Sequence, residues 1–278
     1  MTTFLKMHGL GNDFAVFDAR ERAIALDAAT ARAIADRRHG IGCDQVIVIA
    51  PPANGADAAM RIFNSDGSEV ESCGNAARCV AQLLIAEKGG ATVSLETLGG
   101  PLLCAQGEDG LVTVDMGAPR FDWKDVPLSS AVDTNQFSFA VDGVSIEASA
   151  VSVGNPHCVI FVGDADSAPV EEVGPLIETH PLFPQKANVE FATVRSRNAV
   201  RMRVWERGAG ITQACGTGAC ATAVAAARRG LTDRIVDVEL DGGTLRIEWR
   251  ESDGHILMTG PAKLAYKGEI DLGEGDER

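Results

Sequence analysis

The chain has 278 residues, 45% of them apolar, enough to bury one large core or two of ordinary size. Its formal charge of −14 argues against nucleic acid or an anionic membrane surface as partner, and no apolar run is long enough for a transmembrane helix. Seven cysteines, an odd number, do not make a disulfide framework, so reduced thiols in a cytoplasmic protein are expected, and the opening MTTFLKMHGLGNDF has no pattern of a secretory signal.

Residues 2–18 read as two short strands around the turn-rich Gly9-Leu10-Gly11-Asn12-Asp13. The spacing predicts a helix over 27–38, with Asp27 as N-cap and Gly40 as the stop. A β-branched strand follows at 46–50, then a turn at 51–55 and a strand ending near Phe63. After a polar loop, Cys73-Gly74-Asn75 opens a helix whose Ala77, Val80, Ala81, Leu84 and Ile85 form one stripe, ended by Gly89-Gly90. Strands are expected at 92–97, 102–106 and 111–116. The aperiodic 116–126 is the best candidate for a crossover between halves.

The remainder repeats this order: strands at 137–141, 145–153 and 158–162, a helix at 170–179, a strand after Asn188-Val189, and a helix at 216–229 stopped by Gly230. Strands at 235–240, 244–249 and 256–259 mirror those after the first long helix, and 262–272 is an extra extended segment able to return to the first half. The repeat is visible in the residues themselves. MRIFNSDGSEVESCG from Met60 and MRVWERGAGITQACG from Met202 align without a gap at an offset of 142. Gly11-Asn12 and Gly154-Asn155, and Gln45 and Asn188, recur at an offset of 143. The second long helix is apolar on nearly every face, so a sheet must wrap it.

Cys73 and Cys215 therefore occupy equivalent places, each at the mouth of a helix. A helix N-terminus presents unpaired N–H groups and partial positive charge, which bind carboxylates and are expected to lower a nearby thiol's pKa. Two such thiols on opposite sides of one α-carbon can remove a proton from one face and deliver one to the other, inverting the centre. The other cysteines read as packing residues, Cys79, Cys104 and Cys220 most plainly, Cys43 and Cys158 with them. Cys73-x5-Cys79 and Cys215-x4-Cys220 lack zinc spacing, so no metal is expected, and His8 and His39 read as hydrogen-bonded structural residues. Cys215-Gly-Thr-Gly is followed by no Lys-Ser/Thr, so it is no phosphate loop, and no motif for a nucleotide or pyridoxal phosphate is present. A binding protein or thiol redox switch is the reading from another class.

Several motifs carry a resemblance: His8-Gly-Leu-Gly-Asn-Asp-Phe14, Gly42-Cys-Asp-Gln45, Asn64-Ser-Asp-Gly-Ser68, Cys73-Gly-Asn75, Gly154-Asn-Pro-His157, Ala187-Asn-Val-Glu190, Glu206-Arg-Gly208 and Ala214-Cys-Gly-Thr-Gly-Ala-Cys-Ala221. Through them the chain resembles the diaminopimelate epimerases, cofactor-independent enzymes that convert LL- to meso-diaminopimelate in lysine and peptidoglycan precursor synthesis. Ala76 and Ile211 depart from the family pattern, where Gly and an acidic residue are usual. The resemblance implies an α/β (α+β type) fold of two pseudo-symmetric domains, each a mixed, mostly antiparallel sheet or barrel around a central helix. The expected division is 1–117 with 263–278, and 118–262, with the active site in the cleft between them.

The resemblance further implies Cys73 and Cys215 as the acid/base pair. Asn12, Gln45, Gly74, Asn75, Gly216 and Thr217 would surround the reacting end of the substrate. Asn64, Asn155, Asn188, Glu206 and Arg207 would grip the distal end, where an arginine suits a carboxylate and a glutamate an ammonium. His157 and Glu206 would tune the thiols. A small-molecule substrate, no cofactor and a homodimer complete the expectation; a proline racemase-like enzyme is the rival within the same architecture.

Overall fold

The computed structural model describes residues 1–71 and 73–272. Its chain divides into two compact units, Met1–Val114 with the segment from Gly260 onward, and Asp115–Thr259.

The first unit runs β1 (Thr2–Gly9), β2 (Asn12–Asp18), α1 (Ala28–Ala35), β3 (Gln45–Ala50), β4 (Ala58–Asn64), β5 (Glu69–Val70), α2 (Gly74–Lys88), β6 (Thr92–Thr97), β7 (Gly100–Gln106) and β8 (Val112–Asp115). β1 and β2 are antiparallel, β2 and β3 parallel, β3 and β4 antiparallel, β4 and β6 parallel, and β6, β7 and β8 antiparallel in turn. β1 turns into β2 through Leu10 and Gly11, both at positive φ (56° and 88°), the two-residue geometry whose twist matches a hairpin. α2 is the centre of this unit: ten of its residues, from Gly74 to Ile85, are buried, and it packs on β1, β6 and β7. Gly89 ends it in the left-handed region (φ 70°), its N–H bonded to the Ile85 carbonyl at 2.9 Å.

The second unit runs β9 (Phe137–Val141), β10 (Val144–Ser152), β11 (Pro156–Phe161), α3 (Val170–Glu178), β12 (Asn188–Ser196), β13 (Ala199–Glu206), β14 (Gly210–Ile211), α4 (Gly216–Arg228), β15 (Ile235–Leu240), β16 (Gly243–Trp249) and β17 (Ile256–Gly260). Its pairings repeat those of the first: β10–β11 antiparallel, β11–β12 parallel, β12–β13 antiparallel, β13–β15 parallel, β15–β16–β17 antiparallel. Even the registers repeat. Phe14 faces Gln45 as His157 faces Asn188, and Val46 faces Phe63 as Val189 faces Trp205. α4 packs on β10, β11, β12, β13, β15 and β16, so the apolar helix is wrapped by its sheet as its composition requires. A last strand, β18 (Lys263–Ile270), lies antiparallel to β1 in the first unit, where β9 lies against β10 in the second; positions 273–278 of the expected returning segment lie outside the described residues.

Three local expectations are corrected. α1 stops at Ala35, short of residue 38, because the Asp36 carboxylate accepts the N–H groups of Arg38 and His39 and so builds a turn in place of another helical one. Gly40 is there for a different reason: a Cβ on it would lie 2.0 Å from the Ala33 carbonyl oxygen. The chain passes from one unit to the other at Val114/Asp115, just before the expected crossover, and Val126 and Leu128 lie in the core of the second unit with Phe183 and Val189. The two-residue strands β5 and β14, each paired to the strand that precedes its unit's central helix, are additions.

Candidate active site

In each unit one edge of the sheet gathers polar residues around the start of the central helix. In the first, Asn12 opens β2, Gln45 opens β3 and Asn64 closes β4, with Gln45 and Asn64 opposite each other. The Gln45 amide donates to Asn64 Oδ1 (2.9 Å), and Asn64 donates to Ser68 Oγ (3.1 Å). Gln45 Oε1 is buried and has no hydrogen-bond partner among the described residues, an acceptor left for a ligand's ammonium or hydroxyl. Cys73 is the N-cap of α2, half-buried, with extended backbone (φ −148°, ψ 110°), so the helix's first N–H groups open beside its thiol. Asn75 Nδ2 donates to Asn12 Oδ1 (3.1 Å), toward which the Cys73 thiol also points at 4.0 Å. Arg78, the largest fully buried side chain, donates to Asn75 Oδ1 at 2.9 Å and thereby fixes which way that amide faces.

Asn12 is held in turn from outside. Its amide donates to Asp44 Oδ2 (3.0 Å), and Asp44 is paired with Arg37. Burial alone would raise the Asp13 carboxyl next door, but hydrogen bonds from Arg37 and Lys6 hold it at about 2.

The second unit supplies Asn155, His157 at the start of β11, Asn188 opening β12, Glu206 closing β13, Arg207 beyond it, and Cys215-Gly216-Thr217 at the start of α4. Cys215 is again the N-cap with extended backbone (φ −104°, ψ 106°), but here the sulfur itself accepts the Gly218 N–H at 3.3 Å. Thr217 Oγ1 lies 3.6 Å from the same sulfur. Cys215 is also hydrogen-bonded to Glu206, whose carboxylate accepts from Thr212 as well. Burial above all, then the negative charge of Glu206, pushes the Cys215 thiol well above its ordinary pKa. The expectation that the helix start lowers it is thus corrected: the Thr217 and Gly218 donors oppose the shift without cancelling it. Burial likewise raises Glu206.

The residues expected at the distal end divide into two kinds. Asn188 is committed to the backbone: it donates to the Pro156 carbonyl (3.1 Å) and accepts the Arg207 N–H (2.9 Å). Asn155 is likewise engaged, between His157 and Thr217. Arg207 is exposed; one guanidinium nitrogen donates to the Gln185 carbonyl at 3.2 Å, and it makes no ion pair among the described residues, which leaves its charge for an external carboxylate. Sequence reasoning missed Arg78, Thr212 and Glu190. The last lay within a quoted motif, an acidic residue amid a strand of buried neighbours.

The remaining cysteines are out of play. Burial pushes Cys43 up to about 11 and Cys79 and Cys104 up to about 12, so each stays a neutral packing group. No helix among the described residues is long and apolar enough to cross a membrane.

Solved structures share this architecture. A hydroxyproline epimerase from Agrobacterium vitis superposes with a TM-score of 0.69 over 96% of this chain and 91% of its own, at 18% identity. A phenazine biosynthesis protein from Bacillus anthracis does so at 0.68 over 97% and 98%, at 17% identity. Those likenesses define the fold: the two-unit α/β fold of the epimerase and phenazine-protein class. Sequence comparison is more specific. The diaminopimelate epimerase family model matches residues 4–122 and 149–265. A diaminopimelate epimerase from Rhodospirillum centenum is 55% identical over 96% of this chain and 91% of its own length, and one from Erythrobacter litoralis 54% over 98% of each. The chain belongs to the diaminopimelate epimerase family.

Proposed function

We propose that this chain interconverts LL- and meso-2,6-diaminopimelate without a cofactor, with Cys73 and Cys215 acting as a pair on one α-carbon. The observation that carries the reading is the match between the two cysteines, each the N-cap of the central helix of its own unit at corresponding points of two sheets with the same registers. In this reading the N–H groups opened by Gly74, Asn75, Gly216 and Thr217 receive the carboxylate of the reacting centre and stabilise the charge that develops on it. One sulfur, as thiolate, takes the α-proton; the other, as thiol, delivers its own to the opposite face, and the two sulfurs exchange charge states in each turnover. Gln45 Oε1 offers the acceptor for an ammonium, and Arg207 the fork for the distal carboxylate. Glu206 lies against Cys215, and its hydrogen bonds to Thr212 and the thiol suit it to tuning that sulfur's proton affinity.

A general amino-acid or proline racemase is the rival, and Arg207 weighs against it, since a substrate without a second carboxylate leaves that charge unused. Seven free thiols suit a reducing cytoplasm, and the homodimer follows from the family resemblance; light scattering of the purified protein tests the latter. The test of the activity is direct. Incubation of the purified protein with LL-diaminopimelate, without added cofactor, should yield the meso isomer on a chiral column, and the reverse from meso. No interconversion, or equal turnover of proline, overturns the proposal.

A further inference from the structure

Beneath α4 lies a buried pair that the reaction as described does not use. Glu190 on β12 and His157 on β11 are both fully buried, with Glu190 Oε1 2.6 Å from His157 Nδ1. From His157 the contacts continue: Nε2 meets Asn155 Oδ1 at 2.8 Å, Asn155 Nδ2 meets Thr217 Oγ1 at 3.3 Å, and Thr217 Oγ1 meets Cys215 Sγ at 3.6 Å. An unbroken chain thus runs from a buried carboxyl group to the sulfur.

The direction of each link follows from the one before it. Asn155 Nδ2 can only donate, so Thr217 Oγ1 accepts and keeps its own proton for the sulfur. Asn155 then presents Oδ1, an acceptor, to His157, so His157 carries its proton on Nε2. The short Nδ1–Oε1 contact needs a further proton between the two atoms. It sits either on the imidazole, as a cation facing a carboxylate, or on Glu190. Burial raises Glu190 and so favours the second, and Glu190 Oε2 has no partner among the described residues, as an ionised carboxylate at that depth would require. The Cys215 proton is meanwhile engaged by Glu206.

The fold does not need this pair. At the corresponding points of the first unit, 143 residues earlier, stand Phe14 and Ile47, both fully buried and apolar. Apolar residues of similar size fill such positions at no desolvation cost, whereas a buried acid–base pair is at best neutral for stability. We propose that Glu190 is a positioning residue for Cys215: by sharing one proton with His157 it orients the chain through Asn155 and Thr217 so that every link donates toward the sulfur and stabilises it once its proton has left. The inference deepens the acid/base role proposed above for Cys215 and rests on it. The titratable groups close to the pair are Cys158, next to His157 on β11 but on the opposite face of the sheet, and Glu206 and Cys215.

The test reads ionisation and not turnover. In the ligand-free protein, the rate of iodoacetamide alkylation at Cys215, followed by peptide mass spectrometry across pH, reports thiolate formation; limited access scales that rate but does not move its midpoint. Glu190→Gln keeps the shape, and its amide N–H can replace the Glu190 proton as donor to His157 Nδ1, so it should leave the Cys215 midpoint close to that of the unchanged protein. Glu190→Ile, copying the other unit, removes the donor. It should raise the pH midpoint at Cys215 and slow alkylation at fixed pH by about tenfold, the worth of roughly one hydrogen bond to a charged sulfur, with Cys73 unaffected. Glu190→Leu should do the same and protects the test if the Ile variant folds poorly. Nitrogen-15 NMR should find His157 protonated on Nε2, with a strongly downfield proton on the Nδ1 side that the Ile variant loses. An unchanged midpoint in both apolar variants, or faster alkylation, which would mean an ionised Glu190 repelling the thiolate, overturns the proposal. Turnover is not needed for any of these readings, so an enzyme inactive on diaminopimelate would sink the proposed function and leave this inference standing or falling by itself.

Discussion

Gly218→Ala in α4 separates packing from chemistry. A Cβ at Gly218 would lie 2.9 Å from Glu190 Oε1, 3.2 Å from Cys215 Sγ and 3.3 Å from Cys215 Cβ. Glu190 has no room to retreat, being fully buried and bonded to His157 at 2.6 Å. The strain therefore falls on the Cys215 sulfur and on the first turn of the helix. Overpacking of this size costs about 1–3 kcal/mol. Alanine returns about 1 kcal/mol of helix propensity over glycine, so the net loss of stability should be about 0–2 kcal/mol and the melting temperature should drop by roughly 8 °C at most. A catalytic atom displaced by a few tenths of an ångström to an ångström is far more serious, on the order of 10–100-fold in rate. We expect kcat for diaminopimelate to fall by that factor with KM little changed. The control is Ala76→Gly, the equivalent position in α2, where the buried alanine is already present. It should cost about 1–2 kcal/mol through lost propensity and one buried methyl group, and leave kcat within a few-fold. A Gly218→Ala enzyme with full kcat would show that Glu190 and Cys215 are not packed as described.

Three further outcomes are expected. Asp13→Asn should destabilise the protein at neutral pH by about 2 kcal/mol, from a carboxyl lowered from 3.8 to about 2. Because the folded-state value is depressed, that stability is present above pH 4 and lost as pH falls toward 2, so urea titrations of the two proteins should converge there; an equal gap at pH 2 and pH 7 contradicts the ion-pair account. Arg207→Lys should impair diaminopimelate turnover markedly, since a point charge cannot reproduce a bidentate fork, and lysine should be a very poor substrate of the unchanged protein; equal turnover of lysine and diaminopimelate would remove the distal-carboxylate assignment. Cys79→Ala should keep its activity, because that thiol, pushed up to about 12 by burial, is packing alone; an inactive but folded variant would give it a role the geometry denies.

Much of this was legible because the chain states it twice. Asn12 and Asn155, Gln45 and Asn188, Asn64 and Glu206, and Cys73 and Cys215 stand at constant offsets, and constant offsets in sequence become matching registers in two sheets. What the sequence left hidden depends on depth and direction. Periodicity cannot separate Glu190 from an outward-facing strand residue, because the buried faces of β12 lie on both sides. Arg78 reads as a solvent-facing helix residue until α2 is found buried all round over its first two turns. The thiol of Cys215 went the other way from its helix-start rule, because a local dipole is outweighed when burial and the Glu206 carboxylate act on the same sulfur. The early end of α1 turned on one side chain, Asp36, choosing the next turn's N–H groups over the helix.

The central claim is that two different thiols serve one α-carbon. It is tested by running LL-diaminopimelate in deuterium oxide and analysing product and unreacted substrate at low conversion. If one sulfur removes the proton and the other supplies its replacement, early meso product carries deuterium at the inverted carbon while residual LL substrate still carries hydrogen. Early product that retains the substrate's own hydrogen at that carbon would mean a single base handling both faces, and would contradict the pairing of Cys73 with Cys215.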